Sequence, residues 1–165
     1  MNFLEKDLEE IIFGADRQAL DQKGLSIEGK IARQVKLGKY GILDLISVRR
    51  HHEYMSDSCF IFTIYELKKD NIGIAAFLQA LGYARAVQVY IKERKPKMLF
   101  NIEIVLIGRK IDTLGSFCYL PELINHDLSN YPEGKLTRVD FFTYDYDING
   151  VSFDMKYGYG IENPF

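Results

Sequence analysis

The chain has no tryptophan, two cysteines, three histidines, four prolines and no surplus of one charge. Each shortage removes a class of protein. Cys59 and Cys118 lie far apart in the apolar strings SCFIF and SFCYL. They match no metal-ligand spacing and read as buried thiols rather than a disulfide. No apolar run approaches the roughly 20 residues of a bilayer span. The opening MNFLEKDLEE lacks the basic and apolar regions of a signal peptide. The expectation is therefore a cytoplasmic chain with no membrane partner. Lys and Arg number 21 against 23 Asp and Glu, a net charge of −2. That argues against a protein that coats nucleic acid by bulk charge, but leaves room for a small, locally basic cleft. There is no P-loop, no zinc spacing and no G-x-S-x-G elbow. Asp145, Asp147, Asn149 and Gly150 match the first half of an EF-hand loop. The twelfth position is Lys156 where a bidentate Glu is needed, so calcium is rejected and a hairpin turn kept.

What the chain does have is aromatic and β-branched residues in short runs. Eleven Tyr and eleven Phe favour strands, and a length of 165 residues suits one domain. Helical spacing of Phe3, Leu4, Leu8, Ile11 and Ile12 predicts a helix over 3–13, capped by Asn2, with Glu5 and Asp7 at its positive end. Strands are predicted over 31–37 and 42–48, joined by a Gly38–Gly41 turn. A polar segment over 49–58 follows, read as a loop or strand end. The dense run over 59–67 predicts a buried central strand. A broad apolar stripe predicts a long helix over 74–91, ended near Pro96. A strand over 98–107, a short helix over 120–125 and a hairpin of 139–146 with 151–157 complete the chain. Asn149-Gly150 marks the hairpin turn. The order implies an α/β (α+β) fold: a mixed sheet flanked by helices, with a C-terminal β-hairpin extension.

Three charged residues stand out against this apolar pattern. Asp44 interrupts the strand Ile42-Leu43-Asp44-Leu45-Ile46, and Glu66 and Lys68 end the most apolar strand of the protein. Period two puts Glu66 and Lys68 on one face. Burying such charges costs several kcal/mol unless something compensates them. A divalent ion held between Asp44 and Glu66 would do so, and a few hard oxygen ligands describe Mg²⁺ (or Mn²⁺). Phosphodiester hydrolysis needs a metal-activated water and stabilised oxyanions. Lys68 suits the placing of that water or of the scissile phosphate.

Gly41-Ile42-Leu43-Asp44-Leu45-Ile46 followed by Glu66-Leu67-Lys68 resembles the G-x-x-D…E-x-K core of the PD-(D/E)XK nuclease superfamily. Gln79 and Tyr83, four residues apart on the next helix, resemble the Q-x-x-x-Y helix of its mismatch-specific endonuclease branch. The opening Glu5-Lys6-Asp7-Leu8-Glu9-Glu10 is similar to that branch's first helix, whose glutamate joins the site. Glu9 is preferred for that role over Glu5, one turn earlier. The resemblance spans about residues 2–111 and leaves 112–165, the short helix and aromatic hairpin, without a counterpart. It implies a restriction-endonuclease-like fold and a Mg²⁺-dependent nuclease. Asp44, Glu66, Lys68, Gln79 and Tyr83 would be catalytic, Asp44, Glu66 and Glu9 would hold metal, and DNA and a second copy of the chain would be partners. Two departures stand. The 22-residue gap from Asp44 to Glu66 is longer than usual for that branch, and the 49–58 insertion that fills it is expected to project over the site. Ile42 replaces a basic residue.

Arg49, Arg50 and Lys69 are candidate contacts to the DNA backbone. The competing reading of the Arg49-Arg50-His51-His52 cluster is a solvated loop. Lys92, Arg94, Lys95 and Lys97 mark a helix end, where cations are favoured in any case. The rival functional readings are a nuclease-fold module that binds nucleic acid without cutting it, and a partner-docking protein of phage or mobile-element type.

Overall fold

A computed structural model describes residues 3–52, 58–112 and 133–157. Its centre is a six-stranded sheet in the order β1-β2-β3-β5-β7-β8. The strands are β1 (Lys30–Lys36), β2 (Ile42–His51), β3 (Cys59–Leu67), β5 (Phe100–Gly108), β7 (Glu133–Asp147) and β8 (Gly150–Tyr157). The first three run antiparallel in sequence, β3, β5 and β7 are parallel neighbours, and β7–β8 is an antiparallel hairpin. A minor parallel pair, β4 (Asn71–Ile72) with β6 (Lys110–Ile111), extends the ends of β3 and β5.

Helices cover both faces, because β3 and β5 alternate apolar side chains to each. On one face Phe62, Ile64, Ile102 and Ile104 pack against Phe77 and Ala80 of α3 (Ile74–Arg94). On the other, Tyr65, Leu67, Val105 and Ile107 pack against Leu8 and Ile12 of α1 (Glu5–Gly14) and Leu20 of α2 (Arg17–Gln22). Full burial of one such aliphatic side chain contributes about 1.5–3 kcal/mol, so the two cores hold the sheet between its helices. Among the described residues α3 alone has the length (21 residues) and mean hydropathy (1.2) of a bilayer span. Its Ala76, Phe77, Ala80 and Ala84 are instead buried against the sheet.

The predicted strands and long helices are all present, with ends shifted by a few residues. Asn2, the predicted short helix at 120–125 and Cys118 lie outside the described residues. The cap of α1 is Leu4, whose N–H donates to Asp7 Oδ2 at 2.8 Å. Sequence reading missed α2, although Asp16 announces it: its carboxylate accepts the Gln18 and Ala19 N–H groups. In the β7–β8 hairpin Asp147 pairs with Gly150, and the left-handed residue is Gly150 (φ 100°).

The 49–58 segment, read as a loop or strand end, is a strand end over its first residues. β2 continues to His51, which pairs with Cys59 at the start of β3. Cross-strand pairing outlasts the polar composition of Arg49 and Arg50. Glu66 lies at the other end of β3, roughly 20 Å away at strand rise. The insertion therefore leaves the sheet at the end opposite Glu66 and Lys68, and the expectation that it covers them does not hold for its described flanks.

Candidate active site

The β2–β3 ladder ends at Leu45↔Tyr65. Asp44 on β2 and Glu66 on β3 each lie one residue past that last pair. The strands are no longer paired there, and a side chain closes the gap: Asp44 Oδ2 accepts the Leu67 N–H at 3.1 Å. Glu66 is buried, 1 % exposed. Its Oε1 lies 2.6 Å from Lys68 Nζ, while Oε2 is buried without a hydrogen-bond partner.

From Lys68 a chain of hydrogen bonds runs into α3. Lys68 Nζ donates to Gln79 Oε1 (3.4 Å), Gln79 Nε2 donates to the Tyr83 hydroxyl (2.7 Å), and that hydroxyl donates to the Ile42 carbonyl (2.8 Å). The last link returns to β2, two residues before Asp44. Gly41 makes it possible. Its φ of 104° turns the chain into β2, and Tyr83 packs beside it, at ordinary contact distance from where a Cβ would stand (3.5 Å to Cε1, 3.6 Å to the hydroxyl). Asp44, Glu66, Lys68, Gln79 and Tyr83 thus form one cluster at one end of the sheet.

The electrostatics of the cluster follow from burial. Desolvation pushes the Glu66 carboxyl up to about 7; the Lys68 hydrogen bond opposes this and the nearby Asp44 charge adds to it. Burial also raises Asp44, against the pull of the Leu67 N–H and Lys68, and with Glu5 and Glu9 adding repulsion. For Lys68 burial works downward, but the Glu66 hydrogen bond and the charges of Glu66, Glu5 and Asp44 prevail, so its pKa is raised. The site holds more acid than its single lysine neutralises.

Of the two helix-α1 acids, Glu5 lies nearer the cluster's outer end: its Oε1 accepts the Lys69 N–H at 3.2 Å, and its charge acts on both Glu66 and Lys68. Glu9 is buried, bonded by the Gln34 side-chain amide and 3.9 Å from Arg33 Nη1. Both acids act on Asp44. Gln34 itself went unnoticed in the sequence. It is the one non-glycine residue with positive φ (51°) among those described, and nothing in its local sequence signals this.

No family model matches the sequence. No curated protein and no solved structure matches it significantly either. The arrangement of its own residues therefore carries the functional argument.

The basic residues separate into different regions. Arg49 is half-buried between Glu103 (3.3 Å) and Glu28 (3.5 Å), and Arg50 donates to Ser58 Oγ. Both stand at the end of the sheet away from Glu66. Lys69 stands beside the cluster, its carbonyl accepting the Tyr144 hydroxyl at 2.7 Å. Sequence reading passed over Lys36 and Lys39. Lys36 pairs with Ile42 at the cluster end of β1, and Lys39 sits in the 3-10 turn (Gly38–Tyr40) between them. Only the fold distinguishes them from ordinary surface lysines.

Proposed function

We propose that the chain is a metal-dependent endonuclease that hydrolyses DNA phosphodiester bonds on a restriction-endonuclease-like fold. The observation that carries this reading is Glu66 Oε2, buried and without a hydrogen-bond partner, on the strand beside Asp44. Hard oxygens in a site with excess negative charge fit Mg²⁺ or Mn²⁺, with water and substrate phosphate completing the shell. Asp44 and Glu66 would hold the ion, and Glu5 or Glu9 would add a third carboxylate. Once bound, the ion supplies Lewis-acid stabilisation and lowers the pKa of a water. The protein's own groups do the positioning. Lys68 presents a point charge to a phosphate oxygen or the attacking water. Gln79 and Tyr83 brace Lys68 from α3 and tie it to the β2 backbone. Lys36, Lys39 and Lys69 flank the cluster and favour a polyanionic substrate. Pairing through the sheet edge at β8 would give a homodimer; a monomer by light scattering removes that part.

A second reading has an observation of its own. Among the described residues no three His, Cys, Asp or Glu side chains gather closely enough to hold a metal, and the Lys68 ammonium already pairs with Glu66. On that reading the fold binds nucleic acid or a partner without cutting.

The test is a labelled panel of duplex, mismatched duplex, branched, single-stranded and RNA substrates, with Mg²⁺, Mn²⁺ or EDTA. Metal-dependent cutting that Lys68→Ala abolishes is the expected result. Folded protein that binds these substrates in EDTA and cuts none in metal establishes the second reading instead.

A further inference from the structure

We propose that the C-terminal end of α3 is an exosite for the DNA phosphate backbone, aligned with the candidate active site along one helix face. Exposed Gln79 lies on that face, with Tyr83 buried at its inner edge. Tyr90 and Arg94 return to it about three turns later, roughly 16 Å along the axis, because three turns of an α-helix nearly restore the same direction. Tyr90 is 57 % exposed and Arg94 lies over its ring at 5.6 Å.

Here the surface is strongly cationic. Lys92, Arg94, Lys95 and Lys97 are all exposed, and none forms an ion pair among the described residues. A helix C-terminus carries about half a negative charge and is satisfied by one or two cations. Four cations, with Glu93 the one acid among residues 92–97, exceed it, in a chain whose net charge is −2. The positive charge is therefore concentrated locally. Arg94, Lys95 and Lys97 line an open cleft of about 670 Å³ with Phe60, Ser58 and Leu99. Arg50, bonded to Ser58, stands at its edge.

Charge complementarity selects the occupant. Free cations beside exposed apolar and aromatic surface fit a nucleic-acid strand, whose phosphates pair with Lys and Arg and whose bases or sugars rest on apolar groups. The separation of roughly 16 Å corresponds to about five base-pair steps. The inference rests on the nuclease reading for its alignment, since a strand at Lys68 and Gln79 would meet Tyr90 and Arg94 beyond the buried stretch of Tyr83, Ala86 and Val87. The binding itself does not require cutting.

The experiment measures fluorescence anisotropy of a labelled DNA duplex that spans both regions. It uses the Lys68→Ala protein in EDTA over a range of salt. Arg94→Glu/Lys97→Glu is expected to weaken binding about tenfold or more and to reduce the slope of log K against log salt by about 2. The milder Arg94→Gln/Lys97→Gln should lose less affinity in the same direction, with an unchanged melting temperature. Lys23→Glu/Lys156→Glu matches the charge change elsewhere and should leave the slope intact. Three results overturn the exosite: unchanged binding by Arg94→Glu/Lys97→Glu, an equal loss in the charge-matched pair, or binding to phosphatidylserine vesicles and not to DNA. A protein that cuts DNA while that variant binds normally defeats the exosite alone. A protein that never cuts, yet loses DNA binding in that variant, defeats the nuclease reading alone.

Discussion

Gln34 faces Asp44 across the β1–β2 ladder, and the ladder skips that pair while keeping its neighbours Arg33↔Leu45 and Val35↔Leu43. A left-handed φ of 51° accounts for the break, and the Gln34 side chain is used to bond buried Glu9. A Cβ in this region costs roughly 1–2 kcal/mol. Gln34→Gly and Gln34→Ala both lose the Glu9 contact, but only glycine relieves the backbone. Gln34→Gly should therefore be the more stable variant by about 1 kcal/mol, the reverse of the usual strand preference. Urea denaturation of the pair decides it, and an alanine variant as stable as the glycine one removes the strain.

Glu66 makes metal-free stability depend on pH. Its carboxyl titrates near 4.5 when unfolded and about 7 when folded, raised first by burial. Below the lower value both states hold the proton. As pH rises towards about 7 the unfolded chain releases it and the folded chain keeps it, so stability falls, then levels off. The loss is up to roughly 3 kcal/mol. Denaturation midpoints in EDTA should drop across this window, and Glu66→Gln should flatten the drop. A slope unchanged in Glu66→Gln assigns it to other groups.

Tyr83→Phe removes the link between Gln79 and the Ile42 carbonyl. The expected stability cost is about 1 kcal/mol. If Gln79 and Tyr83 brace Lys68 for chemistry, the loss in kcat should exceed that figure's equivalent of about fivefold, with KM little changed. Equal loss in stability and kcat makes the pair structural.

Gly24 lies where only glycine fits. A Cβ there would stand 2.1 Å from the Phe153 carbonyl oxygen, at a φ of 93°. Gly24→Ala should cost at least about 3 kcal/mol or prevent folding. Gly41→Ala has space around it, the nearest atom being Tyr83 Cε1 at 3.5 Å, so its cost should be that of the backbone alone, φ 104° with ψ −154°, about 1–3 kcal/mol. Thermal melts that rank the two equally would contradict this packing.

The site was legible in part because its residues obey short periods. Glu66 and Lys68 share a face by strand alternation, and Gln79 and Tyr83 by helical spacing. Asp44 was visible as a charge in an apolar strand. Gln34, Lys36 and Lys39 had no such mark, and Glu5 could not be told from Glu9, because their relation to the cluster depends on which strand or helix packs beside which. Arg49 shows the opposite failure: it reads as exposed cation, yet Glu103 and Glu28, distant in sequence, enclose it.

Local composition by itself determined the strands, the long helix, the hairpin and the residues able to carry chemistry, since alternation, helical spacing and turn residues act over a few positions. The tertiary structure alone decided the order β1-β2-β3-β5-β7-β8 and the side of the molecule on which each charge stands. It also set the strained backbone at Gln34 and the unpartnered oxygen of Glu66. Those depend on the register and packing of segments far apart in the chain, and burial, not sequence neighbourhood, sets the free energy of the groups they enclose.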